Sequence, residues 1–162
     1  MKKILENFLL SLLLILFFPL KSFALIEVDI TRGNLNPLPL AVSPLSIDDK
    51  SKKNFENLLK KKNIGEEISS IVENNLKTSG LFNPLNKDAF LQAPDIANLK
   101  PRFEDWNLIK AQALITGKVT SIDDKLRVEF RLWDVLAGKE MMALAFTTVP
   151  TNWRRVGHII SD

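Results

Sequence analysis

Ala113-Leu-Ile-Thr-Gly-Lys-Val119, Leu126-Arg-Val-Glu-Phe-Arg-Leu-Trp133 and Glu140-Met-Met-Ala-Leu-Ala-Phe-Thr-Thr-Val149 follow one another with only short connections, and their reading decides the fold. In the middle run Leu126, Val128, Phe130 and Leu132 alternate with Arg127, Glu129, Arg131 and Trp133, the period of a strand with one buried face. The connections are turn chemistry: a polar stretch from Ser121 to Lys125, then Ala137-Gly138-Lys139. Three consecutive strands joined this way make an antiparallel meander. Trp133 falls out of phase with the apolar set and is expected to face outward or toward a second domain.

Upstream, Ile64, Ile68, Ile71, Val72 and Leu76 recur at helical spacing and form one apolar stripe. Glu66 and Glu67 in the first turn and Lys77 in the last suit the helix dipole, and Gly80 supplies a left-handed stop. Before this helix, Asp48 to Asn63 is lysine-rich, with Phe55, Leu58 and Leu59 inside it, and is compatible with a short surface helix. Leu40 to Leu45 reads as a buried strand, its limits marked by Pro39 and Pro44. Gly33 to Pro39 is linker chemistry, preceded by Ile26, Val28 and Ile30 alternating with Glu27, Asp29 and Thr31. After the helix come an extended segment at Leu81 to Leu85, an irregular one at Asp88 to Pro101, and a short helix around Phe103, Trp106 and Leu108 to Ala111. Trp153 to Ile160 begins a last helix that the chain does not finish. The order describes an α+β layer sandwich with helices on one sheet face.

The first 24 of the 162 residues read as a secretory signal peptide. Lys2 and Lys3 open it, Phe8 to Leu20 is apolar apart from Ser11, and Ser22-Phe23-Ala24 predicts cleavage between Ala24 and Leu25. Thirteen helical residues reach about 20 Å, short of the roughly 30 Å of a bilayer core, so stable membrane insertion after cleavage is not expected. The remaining 138 residues, 25–162, suffice for one domain. No cysteine is present, which excludes thiol chemistry, disulfides and cysteine-bound zinc. Without the leader, 19 basic and 18 acidic residues leave a net charge of +1, giving no reason to expect nucleic acid.

Catalysis finds little support. His158 is the only histidine and has no partner at a triad or metal spacing. The acidic pairs each have a local explanation: loop solvation for Asp48 and Asp49, helix N-terminal charge for Glu66 and Glu67, a hairpin turn for Asp123 and Asp124. No glycine-rich phosphate loop exists, so no catalytic, cofactor or metal residue is assigned. Lys60, Lys61 and Lys62, with Lys50, Lys52 and Lys53, form a basic patch whose alternative role is contact with lipid or glycan headgroups. Such runs are usually solvated. Trp106, Trp133 and Trp153 fit an interface or a small core. The amino-terminal strand is either the edge strand of the domain's own sheet, which the residues alone favour, or a detachable segment that pairs with a partner's sheet edge.

Glu27-Val-Asp-Ile-Thr-Arg-Gly33, Pro39-Leu-Ala-Val-Ser-Pro-Leu45, Leu76-Lys-Thr-Ser-Gly-Leu-Phe-Asn-Pro-Leu85, Ile115-Thr-Gly-Lys-Val119, Arg131-Leu-Trp-Asp134 and Trp153-Arg-Arg-Val-Gly-His158 occur in order. Together they resemble the amino-terminal domain family of TolB, the periplasmic component of Tol-Pal systems, over nearly all of residues 25–162. The resemblance implies a mixed five-stranded sheet with two main helices on it, followed in the family by a six-bladed β-propeller. It implies an adaptor rather than an enzyme, keeping the outer membrane attached during cell constriction. The propeller would engage the peptidoglycan-associated lipoprotein. The amino-terminal segment, here Leu25, Ile26, Glu27, Val28, Asp29, Ile30, Thr31, Arg32 and Gly33, would engage the carboxy-terminal domain of TolA in the inner membrane. The stretch from Asp48 to Asn63 is longer and more basic than the family's usual connection. The chain stops at Asp162 before any propeller, which leaves open a fragment, a truncated gene product or a stand-alone module, and lipoprotein binding is not assigned to these residues.

Overall fold

The computed structural model describes residues 36–61 and 63–162. The chain divides into two units, Met1–Gly33 and Asn34–Asp162. The leader, its cleavage point and the strand at Ile26, Val28 and Ile30 lie outside the described residues. The second unit runs β1 (Leu38–Val42), β2 (Ser46–Ile47), α1 (Asp49–Leu59), α2 (Ile64–Thr78), β3 (Phe82–Pro84), α3 (Pro94–Leu99), α4 (Phe103–Leu108), β4 (Ala113–Ile122), β5 (Lys125–Asp134), β6 (Lys139–Thr148) and α5 (Trp153–Ser161).

The fold is α+β around one mixed six-stranded sheet, ordered β3-β1-β4-β5-β6, with β2 pairing β4. The meander of β4, β5 and β6 is antiparallel, as its alternation predicts. Its first turn is Asp123-Asp124, both with positive φ (47° and 58°), the handedness that matches strand twist in a two-residue hairpin. β1 runs parallel to both β3 and β4. The sixth strand exists because β4 outruns β1: β1 covers Ala113 to Ile115, and after a step through Ser43 to Leu45 the two residues of β2 cover Lys118 and Val119. A two-residue strand leaves no periodicity to read. Pro39 is a correction of another kind: it sits inside β1, opposite Asn83, not at the strand's limit. Its ring removes no bond the sheet needs, and its carbonyl accepts from the Gln112 N–H at 2.9 Å.

Alternate residues of β1 and β4 bury on opposite faces. Leu40, Val42, Ala113 and Ile115 pack with Val72 and Leu76 of α2. Ala41, Leu114 and Trp133 pack with Trp106 and Ala111 on the other side. The expectation of an outward Trp133 is therefore overturned. Its side chain is 9% exposed, its indole N–H donates to Thr116 Oγ1 at 2.9 Å, and Phe103 meets it edge-on at 5.8 Å. The physical reason lies in residues 85–111. Within it Asp88 to Pro101, read as irregular, contains α3, and the expected short helix is α4; together they lay Leu85, Phe90 and Phe103 over the second sheet face.

At the far end of the sheet, Phe55 of α1, Ile64 and Ile68 of α2, and Trp153 and Val156 of α5 close over Val119, Leu126 and Val128. α2 ends where the sequence predicts, with Gly80 at φ +74°. α5 crosses α2 at Gly157, where a Cβ would stand 2.9 Å from Ile71 Cγ2; a side chain there would force the helices apart. The lysine-rich stretch is thus a core element. α1 buries Phe55 completely and Ser51 almost so, while its lysines face solvent.

Candidate partner-binding surface

The stretch predicted to bind a partner, residues 25–33, lies outside the described residues. It leads along the chain into β1, whose Leu38 N–H donates to the Leu81 carbonyl at 2.9 Å. The other candidates can be placed.

The basic patch is only partly free. Lys50, Lys52 and Lys53 are exposed on α1, and Lys60 is exposed with φ 57°, ending that helix in the left-handed region. Lys61 is committed: it pairs with Glu67 at 2.7 Å and lies 5.1 Å from the centre of the Trp153 ring. Arg154 lies at 4.7 Å from the same ring centre. These cations cover an indole that closes the core, a structural use that the run of lysines does not announce.

Each acidic pair finds a local role. Asp48 is the cap of α1, accepting the Ser51 N–H at 2.9 Å and the Ser51 hydroxyl at 2.8 Å. These two bonds, the backbone one first, hold its carboxyl below the usual carboxylate value. The expected reading of Asp48 as loop solvation is replaced by this cap, because Ser51 in turn accepts the Ser121 N–H and anchors α1 to β4. Glu66 accepts from Asn63 Nδ2 at 2.7 Å and Glu67 pairs with Lys61. Asp123 and Asp124 make the hairpin turn; with Lys50, Asn54 and Ser121 they line an open polar hollow of about 400 Å³. His158 is exposed, with Nδ1 2.8 Å from Asn75 Nδ2, an amide nitrogen that can only donate, and this contact ties α5 to α2. All three tryptophans are core residues.

Two features escaped the sequence. Gln92 is 6% exposed and organises the second face: its amide donates to the Arg102 carbonyl and to Asp105, and its oxygen accepts from the Arg102 N–H and, at 3.3 Å, from Trp106 Nε1. The Gln92 and Arg102 bonds hold Asp105 below its ordinary value. A lone glutamine in a segment without periodicity carries no pattern that separates it from a surface residue. The other feature is β6, exposed along nearly its whole length; strand alternation does not say which strand ends a sheet. Among the described residues, no buried polar side-chain atom lacks a hydrogen-bond partner. Among them, too, no three histidines or carboxylates gather where a metal ion could sit. No described helix is long and apolar enough to cross a membrane.

Comparison with known proteins places this geometry. The TolB amino-terminal domain family matches residues 26–141. The Tol-Pal system protein TolB of Pelagibacter ubique (strain HTCC1062) is 79% identical over 156 residues, covering 95% of this chain and 35% of that protein. The chain therefore spans about a third of the length of that curated relative. Among solved structures, TolB from Acinetobacter baumannii superposes with a TM-score of 0.59 at 21% identity, over 78% of this chain and 27% of that one. Lipoprotein GNA1162 from Neisseria meningitidis gives 0.50 at 18% identity, over 70% and 81%. At these identities the structures speak to the fold alone.

Proposed function

Because the chain belongs to the TolB amino-terminal domain family, we propose that it is an adaptor module of a Tol-Pal envelope complex. In this reading residues 1–24 are removed on export to the periplasm, and residues 25–33 dock a TolA-like inner-membrane domain. The outcome is maintenance of the outer membrane while the cell constricts. The observation that carries the reading is the family match, which begins at Ile26 and so takes in the strand-like stretch. Alternating Ile26, Val28 and Ile30 suit recognition by strand addition: the backbone bonds to a sheet edge while every second side chain enters a pocket. The peptidoglycan-associated lipoprotein is a partner of the family's propeller, and the described residues hold no propeller blade. Lipid or glycan headgroup binding has weaker support, since Lys61 is already engaged by Glu67 and Trp153.

The test is capture of the carboxy-terminal domain of a TolA-like protein by the exported full chain. Deleting residues 25–32 is expected to abolish capture and leave the melting temperature within a few degrees. Ile30→Asp is expected to weaken capture by about 2 kcal/mol or more, as loss of a buried anchor does. Undiminished capture by the deletion variant would refute the reading.

A further inference from the structure

The segment that carries α3 is fastened at its ends and tethered lightly between them. Gln92 staples the ends: its amide donates to the Arg102 carbonyl at 3.0 Å, and its side-chain oxygen accepts the Arg102 N–H at 3.2 Å. Residues 93–101 therefore depart and return through one buried neck, the form of an Ω-loop. Their body is α3, six residues between Ala93 and Lys100, both extended, with ψ of 149° and 111°. Pro94 opens the helix and Pro101 follows Lys100, so it cannot lengthen in either direction. Its start has no side-chain cap, and a helix this short is marginal by itself. α3 lies over β4 and β2. Among the described residues a single side-chain link bonds it to the sheet: the Asn98 carbonyl and Oδ1 both accept from Arg131 Nη1 at 3.3 Å. Ile96 faces outward, 50% exposed.

We propose that residues 93–101 form a flap that swings out on the Gln92–Arg102 neck while the rest of the domain stays folded, with the Asn98–Arg131 contact as its latch. Closed, the two Asn98 oxygens sit on the guanidinium as the oxygens of an acidic group would. Open, they leave Arg131 to water on the sheet's second face, still paired with Glu140 at 3.3 Å. The floor tolerates such exposure. Lys118 and Arg131 lie on that face by strand alternation, and both are charged. The apolar floor beneath Phe90 and Phe103 lies outside the flap and keeps its cover. The neck separates the two regions. Gln92 also donates to Asp105 and accepts from Trp106 Nε1, so its bonds stay with α4 when α3 departs.

Amide exchange in the full chain, followed residue by residue, tests this. Helix geometry pairs the amides of Asn98 and Leu99 with the carbonyls of Pro94 and Asp95. Both amides are expected to exchange at least about a hundredfold faster than those of β4. Low urea should leave their rate unchanged, because a local opening exposes little surface. Asn98→Ala is expected to raise that rate at least about threefold with an unchanged melting temperature. Arg131→Gln removes the same latch, so the double variant should exchange no faster than Arg131→Gln alone. Three results would each overturn the proposal. The first is exchange of α3 at the β4 rate and with the β4 urea dependence, which would mean that it opens only with the whole domain. The second is additive acceleration by the two substitutions. The third is exchange of α4 in step with α3, which would mean that the neck itself gives way.

Discussion

Trp133 decides more of this fold than its place in the strand pattern suggests. Its position opposite the apolar residues of β5 was legible, since the period-2 alternation is unambiguous. What alternation cannot say is whether the second face of a sheet is covered; that depends on residues 85–111 and their contacts, far away in sequence. There the indole N–H has one partner, the Thr116 hydroxyl, and Thr116 is fully buried. Thr116→Val keeps the shape and leaves the donor orphaned, so it is expected to cost about 1–3 kcal/mol in denaturant unfolding. In a Trp133→Phe background the donor is gone. The further cost of Thr116→Val should then fall to a fraction of that, a coupling that a double-mutant cycle reads directly. If the two substitutions are additive, the hydrogen bond contributes nothing specific.

At the scale of the element, α1 shows why a lysine-rich stretch was hard to place. Three exposed lysines mask a helix whose buried side consists of Ser51 and Phe55, too few residues for a periodic stripe. The Asp48 cap supplies what propensity does not. Its carboxyl is held below its ordinary value of 3.8 by the Ser51 N–H and hydroxyl, so the ionised form is the one that stabilises the folded chain. A depressed folded value means the contribution is fully present above the unfolded value and is lost as pH falls through the lower, folded one. Asp48→Ala is therefore expected to cost about 0.5–1 kcal/mol near neutrality, the lower part of the range for such caps because the carboxylate is exposed and screened. The difference between wild type and variant should shrink as pH falls through the folded value, which lies below 3.8. Urea unfolding at several pH values measures it; a pH-independent difference would remove the cap from the account. By contrast α2 was fully legible, because its five-residue apolar stripe and its Gly80 stop are local signals.

For the whole molecule, the meander was readable because its strands are neighbours in sequence, whereas the parallel pairs were not. Leu40 meets Ala113 and Leu38 meets Phe82 across intervening helices, and nothing in either segment names its partner. The same non-local packing fixes where the folding unit ends. The family match stops at residue 141, inside β6. Yet the β5–β6 ladder continues to Thr148, and Trp153 and Val156 of α5 are 6% and 3% exposed within the core that α1 and α2 complete. Removing a buried tryptophan alone costs about 3–5 kcal/mol, against a total stability of roughly 5–15 kcal/mol for a domain. A chain ended at residue 141 loses that ring, Val156, the Phe146–Phe130 stack at 6.1 Å and most of an edge strand together. It is expected to show no cooperative melting transition, whereas Trp153→Ala in the full chain should melt cooperatively at a temperature lower by roughly 10 °C or more. Circular dichroism melts of the two variants beside the full chain distinguish the cases. A cooperative melt from the shortened chain would place the unit's boundary at the end of the family match and make α5 an appendage.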